Sequence, residues 1–335
     1  MSVIVPAGID VSAKSLMVCL LRDDQKAKAS KPWPVENSAS GHGALIKTFL
    51  DQGVTRIVCE ATGVYHLELA FALTEAGLPV MVANPRQVKA FIQARLRNTQ
   101  NDPVDAYELA QFAQRMEFVP WQPPRAAQYA LHRIARSLHG YVEQATAVKN
   151  RLHAATSVGR TPKIVLRTLR SELACLERLQ QQLSAAALKV IARDKPLQRA
   201  FDLLISVRGI GQTSAVQILG ELCVLAPNLS AKAWVKLAGL DPTRKQSGTS
   251  VLTQTRISKR GNAKLRAALY MPAMAARRHD PGLRAFADRL IANGKTPMQA
   301  LIAVARKLLH GIHAMFKLDR PWNSQALVPH ATSDA

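Results

Sequence analysis

The chain has 335 residues, 48% of them hydrophobic, so it is long enough for about two packed domains and too apolar for a disordered polymer. Its 45 Lys+Arg against 23 Asp+Glu give a formal charge of +22 and a pI near 10.4, the electrostatic footprint of a nucleic-acid binder, with a membrane-surface protein or a merely soluble basic protein as the alternative. Four cysteines without C-x-x-C spacing argue against a zinc centre and fit a reduced, cytoplasmic compartment; no signal pattern opens the chain and no apolar run reaches membrane-spanning length.

Residues 3–11 and 16–21 predict two strands separated by Ser12-Ala13-Lys14. Residues 31–37 predict a weaker strand at a sheet edge, because Pro32 and Pro34 cannot donate to a ladder. A short helix follows over 42–51, a buried strand over 55–59, a helix over 64–76 closed by Gly77, and a fifth strand over 78–82. Residues 86–97 are predicted helical, and a last helix runs from Pro103 to about residue 116. This is a β-β-β-α-β-α-β-α order in which Asp10 ends the first strand, Glu60 ends the fourth, and Asp102 and Asp105 open the last helix.

Ligand sites in α/β sheets gather where strand ends and loops converge. Asp102 and Asp105 are three apart and share one helical face. Four hard oxygen donors facing each other would hold a divalent metal. The same stretch also reads as a plain helix start, with Asp102 as N-cap, Pro103 at the first helical position and Asp105 where a capping-box acid sits.

Pro120-Trp121-Gln122-Pro123-Pro124 ends the first domain, residues 1–124. Leu131, Ile134, Leu138, Val142, Ala145, Val148 and Leu152 then recur at spacings of three or four. The pattern stops at Gly159-Arg160-Thr161-Pro162 and resumes with Leu169, Leu173, Leu176, Leu179 and Leu183. An antiparallel coiled-coil hairpin is predicted over 125–193, either as a dimerisation arm or packed on its own domain. Residues 194–323 read as short helices with basic connections, including apolar-faced helices over 265–277 and 298–315, and 324–335 as a disordered tail. His310 and His313 share a helical face without a third ligand and read as packing or surface residues.

Val207-Arg208-Gly209-Ile210-Gly211 lies between two apolar helices and looks like a helix-hairpin-helix turn. Arg208 and the backbone at Gly209 and Gly211 would meet a phosphate there, and a plain tight turn is the alternative. Arg244, Lys245 and Ser247 follow on a loop, then Arg256, Lys259, Arg260 and Arg266 on a basic turn and helix start. Such cations and hydroxyls supply phosphate contacts. Gly248 keeps the Ser247 hydroxyl accessible, as a nucleophile or a phosphate ligand needs, although no histidine is close in sequence to act as base; a solvated basic loop is the alternative.

Gly8-Ile9-Asp10-Val11-Ser12, Cys59-Glu60-Ala61-Thr62-Gly63, Asn84-Pro85, Asn101-Asp102-Pro103-Val104-Asp105-Ala106, Gly209-Ile210-Gly211, Ala238-Gly239-Leu240, Gln246-Ser247-Gly248-Thr249-Ser250, Ser258-Lys259-Arg260-Gly261 and Leu269-Tyr270-Met271-Pro272-Ala273-Met274 resemble, in order, the transposases of the 110 family of bacterial insertion sequences, which are bridge-RNA-guided recombinases. The resemblance implies an α/β + α protein: an RNase H-like (RuvC-like) N-terminal domain, a coiled-coil segment and a mainly α-helical C-terminal transposase domain. It implies that Asp10, Glu60, Asp102 and Asp105 form an acidic tetrad for Mg²⁺, with Mn²⁺ as a substitute, and that Ser247 is the catalytic serine. The implied partners are donor and target DNA, a noncoding bridge RNA, and further copies of the chain, as a homodimer assembling into a homotetramer with composite sites; no membrane is involved. Gln100-Asn101 stands where many relatives have Lys-Thr before the first acid of the pair, which bears on subgroup and not on the acids. The alternative is a metal-dependent, junction-resolvase-like nuclease in which water attacks and the serine is a bystander.

Overall fold

A computed structural model describes residues 4–21, 30–61, 63–95, 101–243 and 256–323, with the backbone alone of 246–247 and 251–252. The chain divides into two units, Met1–Pro123 and Pro124–Ala335.

In the first unit the apolar runs become β1 (Pro6–Val11), β2 (Ser15–Leu20), β3 (Trp33–Glu36), β4 (Arg56–Glu60) and β5 (Val80–Ala83). The helices are α1 (Ala39–Asp51), α2 (Leu67–Glu75), α3 (Pro85–Ala94) and α4 (Asp102–Arg115). Among the described residues the sheet order is β3-β2-β1-β4-β5. β1 pairs antiparallel with β2, and β2 with β3, whereas β1, β4 and β5 run parallel. This is the RNase H-like arrangement, with the proline-bearing β3 at an edge as expected.

β1 and β4 are buried on both faces, which is why they read as near-continuous apolar runs. Ile9, Ile57 and Cys59 pack with Leu45, Phe49, Leu69 and Leu73 of α1 and α2. Val58 packs on the other face with Val88 of α3 and Leu109 and Phe112 of α4. Gly8 marks the crossing of α4 over β1. A Cβ there would come within 2.2 Å of Ala106 O and of Ala110 N, so only glycine lets the helix lie this close. Asp10 is two residues on and, by the strand's pleat, faces the same side.

The second unit contains α5 (Ala126–Thr156), α6 (Lys163–Ala192), α7 (Lys195–Ile205), α8 (Gln212–Leu222) and α9 (Ala231–Leu237). Short strands β6 (Pro242–Thr243), β7 (Gln246–Ser247), β8 (Val251–Leu252) and β9 (Arg256–Ile257) follow, then α10 (Ala263–Ala268), α11 (Tyr270–His279), α12 (Pro281–Ala292) and α13 (Pro297–Leu318). α5 and α6 form the expected hairpin, reversing at 157–162. Its two ends are built differently. Ala145, Val148 and Leu176 make a small seam of their own, whereas Leu131, Ala135, Leu138, Ala187 and Ile191 belong to the main core of the unit, with residues of α7, α8 and α13. The helix read over 265–277 is broken at Leu269 into α10 and α11. Pro272 is the third residue of α11 and has no N–H to continue the ladder backward, which suits a helix start. His313 packs: its Nε2 meets Leu229 O at 2.8 Å and its ring stands edge-on to Trp234. Among the described residues no helix is long and apolar enough to cross a membrane.

Candidate active site

Asp10 lies near the end of β1 and Glu60 ends β4. The strands are parallel neighbours and pair through Ile9 and Cys59, so the two acids fall together at the carboxyl edge of the sheet, one step past that pair. α4 brings the other two acids to the same edge. Its N-cap is Asn101, not Asp102 as the sequence suggested: Asn101 has extended backbone (φ −160°) and its Oδ1 accepts from Val104 N at 3.0 Å. Asp102 is the first helical residue and Asp105 lies beyond the capping-box position. Capping is therefore carried by the amide, which leaves both carboxylates to the cavity, where the positive end of the helix favours them.

All four acids line one cavity of about 700 Å³. Burial, followed by the charges of Asp102, Asp105 and Glu60, pushes the Asp10 carboxyl up to about 6. Asp105 is also raised, by burial and then by Asp102. The electrostatics are those of carboxylates crowded round one opening. Among the described residues no three His, Cys, Asp or Glu side chains close into a ligand cage. The acids stand round an open cavity, and an all-carboxylate, hard-oxygen set of this kind fits Mg²⁺ or Mn²⁺ better than zinc. A divalent cation would relieve the repulsion that adds to burial in raising Asp10, so the residues present fit a divalent metal.

The opposite wall is α3, which presents Pro85, Val88, Lys89, Ile92 and Gln93 to the cavity. Lys89 and Gln93 were not singled out in the sequence. The available signal was Lys89 and Gln93, four apart on one helical face and each next to an apolar position, Val88 and Ile92. The two walls are joined by Arg95, whose Nε lies 2.8 Å from Oε2 of Glu108, a carboxylate that is fully buried. Arg95 also stacks over Phe91, with 5.6 Å from its guanidinium carbon to the ring centroid.

Asn37 ties the loops that follow the two acid-bearing strands. Its Nδ2 donates to Ser12 O at 2.8 Å and to Tyr65 O at 3.2 Å. Its Oδ1 can only accept, so His42 Nε2, 2.8 Å away, carries a proton. Burial lowers the His42 value, which keeps the ring neutral at physiological pH.

In the second unit, Gly209 has φ +106° and packs against α11, where a Cβ would lie 2.8 Å from Ala276 N. That glycine is explained by packing. Arg208 and Gly211 are exposed, and Gly211 is the N-cap of α8. Ser247 lies on β7, paired with Val251 of β8. Arg244, Lys245 and 248–250 lie outside the described residues. Thr243 pairs with Arg256 in the β6–β9 ladder that leads into and out of this loop.

The basic turn that follows is tightly built. Ser258 N donates to Asp241 O, its hydroxyl bonds the Asp241 carboxylate, and Lys259 N donates to Gly239 O at 3.1 Å. Lys259 is held at φ +51°, unusual for a side-chain-bearing residue. Arg256, Lys259 and Arg260 are exposed. Arg266 is half-buried and donates from Nη1 to Ala238 O at 2.9 Å, so part of its guanidinium serves the fold. Behind the turn, Glu221 of α8 is nearly fully buried. It pairs with Arg136 of α5 and accepts from Asn262, and these contacts hold its carboxyl low although burial opposes them.

Two family models match the chain, the first across the boundary between the units. A family model described as Transposase, of the DEDD type of IS110, matches residues 7–157, and one described as Transposase IS116/IS110/IS902 family matches residues 201–288. The chain is 27% identical over 270 residues to the pilin gene-inverting protein of Moraxella bovis, covering 80% of this chain and 82% of that one. It is 31% identical over 157 residues to an insertion element IS110 protein of 43.6 kDa from Streptomyces coelicolor, covering 47% and 38%. Among solved structures, RuvC of Thermus thermophilus in complex with a Holliday junction substrate is 18% identical and aligns with 35% of this chain and 99% of its own, at a TM-score of 0.28.

Proposed function

Because this chain belongs to the IS110 family of transposases, enzymes that cut and rejoin DNA, we propose that Asp10, Glu60, Asp102 and Asp105 form its metal-dependent strand-cutting centre and that Ser247 is its nucleophile. The observation that supports this reading is the convergence of four acids from β1, β4 and α4 on one cavity, in a chain of net charge +22 where acids are scarce.

The four carboxylates would hold Mg²⁺, with Mn²⁺ able to replace it. When bound, the ion offsets the charge of the scissile phosphate and polarises its oxygens. The chain's own residues do the rest. Asn101 fixes the first turn of α4, so Asp102 and Asp105 keep their aim. Asn37 holds the loops behind Asp10 and Glu60. The Ser247 Oγ attacks phosphorus and gives up its proton, a P–O bond of the strand breaks, and that proton is returned to the severed oxygen, which leaves as a hydroxyl. The phosphoserine ester keeps the bond energy for rejoining. A tetrad carboxylate is the candidate acceptor of the serine proton.

Arg208, Arg244, Lys245, Arg256, Lys259, Arg260 and Arg266, with the amides at Gly209 and Gly211, would hold phosphates without reading sequence. Choice of donor and target DNA would fall to pairing with a noncoding bridge RNA, as in other guided systems. By resemblance to the family, the working form is a homodimer assembled into a homotetramer, acting in the cytoplasm; the α5–α6 hairpin is the candidate assembly arm.

The test starts from protein purified with its cellular RNA. The RNA is sequenced, and matching DNA is supplied with Mg²⁺ and then denatured. A covalent protein–DNA adduct that is lost in Ser247→Ala supports the reading. Normal recombination by Ser247→Ala would remove the serine chemistry and leave a metal nuclease that uses water.

A further inference from the structure

We infer that Lys89 is a further catalytic residue, seating the scissile phosphate by contact with one of its non-bridging oxygens; this rests on the acid cavity being the cutting centre. Lys89 is the one cation among the described residues that lines the cavity. It is exposed, and among the described residues no ion pair joins it to any acid, although four acids share its cavity. Arg95, at the C-terminal end of α3, is tied to buried Glu108. α3 also carries Arg86, exposed but not among the residues that line the cavity, so Lys89 is the cation of this helix placed to meet an anion there.

Electrostatics call for such a group. Four carboxylates repel a phosphate, and one divalent ion leaves the cavity still negative. A lysine on the facing wall supplies the remaining attraction without cancelling the acids that hold the metal. The wall is firm enough to aim it. Asn84 caps α3, its Oδ1 accepting from Arg86 N at 2.9 Å, and neighbouring Val88 is 2% exposed in the core. Gln93, one turn on and lining the same cavity, is placed to hydrogen-bond the same phosphate.

The test is a cycle between protein and DNA, using the full chain with its copurified RNA. The cut site is first mapped with the unmodified protein. Binding is then measured by fluorescence anisotropy, with Ca²⁺ in place of Mg²⁺, on DNA carrying an ordinary phosphate or a single neutral methylphosphonate at that site. Removing one charge-assisted contact should weaken binding of Lys89→Ala to ordinary DNA about 10-fold and slow cutting about 100-fold. Lys89→Arg should recover most of both, and the methylphosphonate should weaken the unmodified protein while leaving Lys89→Ala no worse. Unchanged thermal stability would show that the fold is intact. Fully additive losses, or normal cutting by Lys89→Ala, would overturn the assignment. Asp102→Asn separates this from the parent reading: if that variant is dead while Lys89→Ala behaves normally, only Lys89 falls, and if Asp102→Asn cuts normally, both fall.

Discussion

Replacing Asp10 by asparagine should make the metal-free protein more stable while abolishing its activity. The carboxyl is raised from 3.8 to about 6 by burial and by three neighbouring acids. The folded state therefore binds its proton more tightly than the unfolded chain does. Between about pH 4 and 6 folding is progressively penalised as Asp10 ionises, and above 6 the penalty is constant. A shift of about two pH units corresponds to about 3 kcal/mol at most, and partial solvation of the half-buried group reduces this to about 1–2 kcal/mol. In a unit of this size that is on the order of 3–8 °C in melting temperature. Asparagine keeps the shape and removes the charge. Melts in EDTA should show Asp10→Asn and the unmodified protein together near pH 4, with the variant ahead by the full margin at pH 7.5. Adding Mg²⁺ should narrow the gap, because only the unmodified protein keeps the whole ligand set. A variant less stable at pH 7.5, or a gap independent of pH, would refute the reasoning.

Three further outcomes follow from the way α4 is held. Asn101→Ala removes the cap and should cost about 1 kcal/mol in denaturant unfolding, with slower cutting as Asp102 and Asp105 lose their fixed turn. Glu108→Ala leaves Arg95 unpaired against the core and should cost about 3–5 kcal/mol, measured in the same way. Gly8→Ala places a methyl against the backbone of α4, so the helix must shift or the unit unfold; circular dichroism should show at least about 3 kcal/mol of lost stability, and any folded fraction should fail to cut DNA.

The strands and the placing of Asp10 and Glu60 were legible because buried central strands are short, nearly unbroken apolar runs and an acid at the end of one stands out. The α5–α6 hairpin was legible from its spacing. What that spacing could not say is that its base joins the core of the helices that follow, since an apolar seam looks the same whether it faces a partner helix or a domain. Asn101 and Asp102 are both good caps, and only the backbone decides between them: Asn101 is extended and Asp102 already helical. Lys89, Asn37 and the Arg95–Glu108 pair were missed for a shared reason. Asn37 and the Arg95–Glu108 pair act on residues brought near by tertiary packing, and Lys89 lines the acid cavity only because packing sets α3 beside it; each alone reads as an ordinary surface or helix residue. Ser247 and its glycine stand out in the sequence only as an accessible hydroxyl on a basic loop, and no local pattern ties them to the four acids.

The most direct test of the central claim is Mn²⁺ binding, followed by electron paramagnetic resonance, alongside strand cutting by the same preparations. The unmodified protein should bind the ion and cut matched DNA, and Glu60→Gln and Asp102→Asn should each lose both while keeping normal circular dichroism. Full metal binding and cutting by either variant would contradict the account and return the four acids to caps and strand ends.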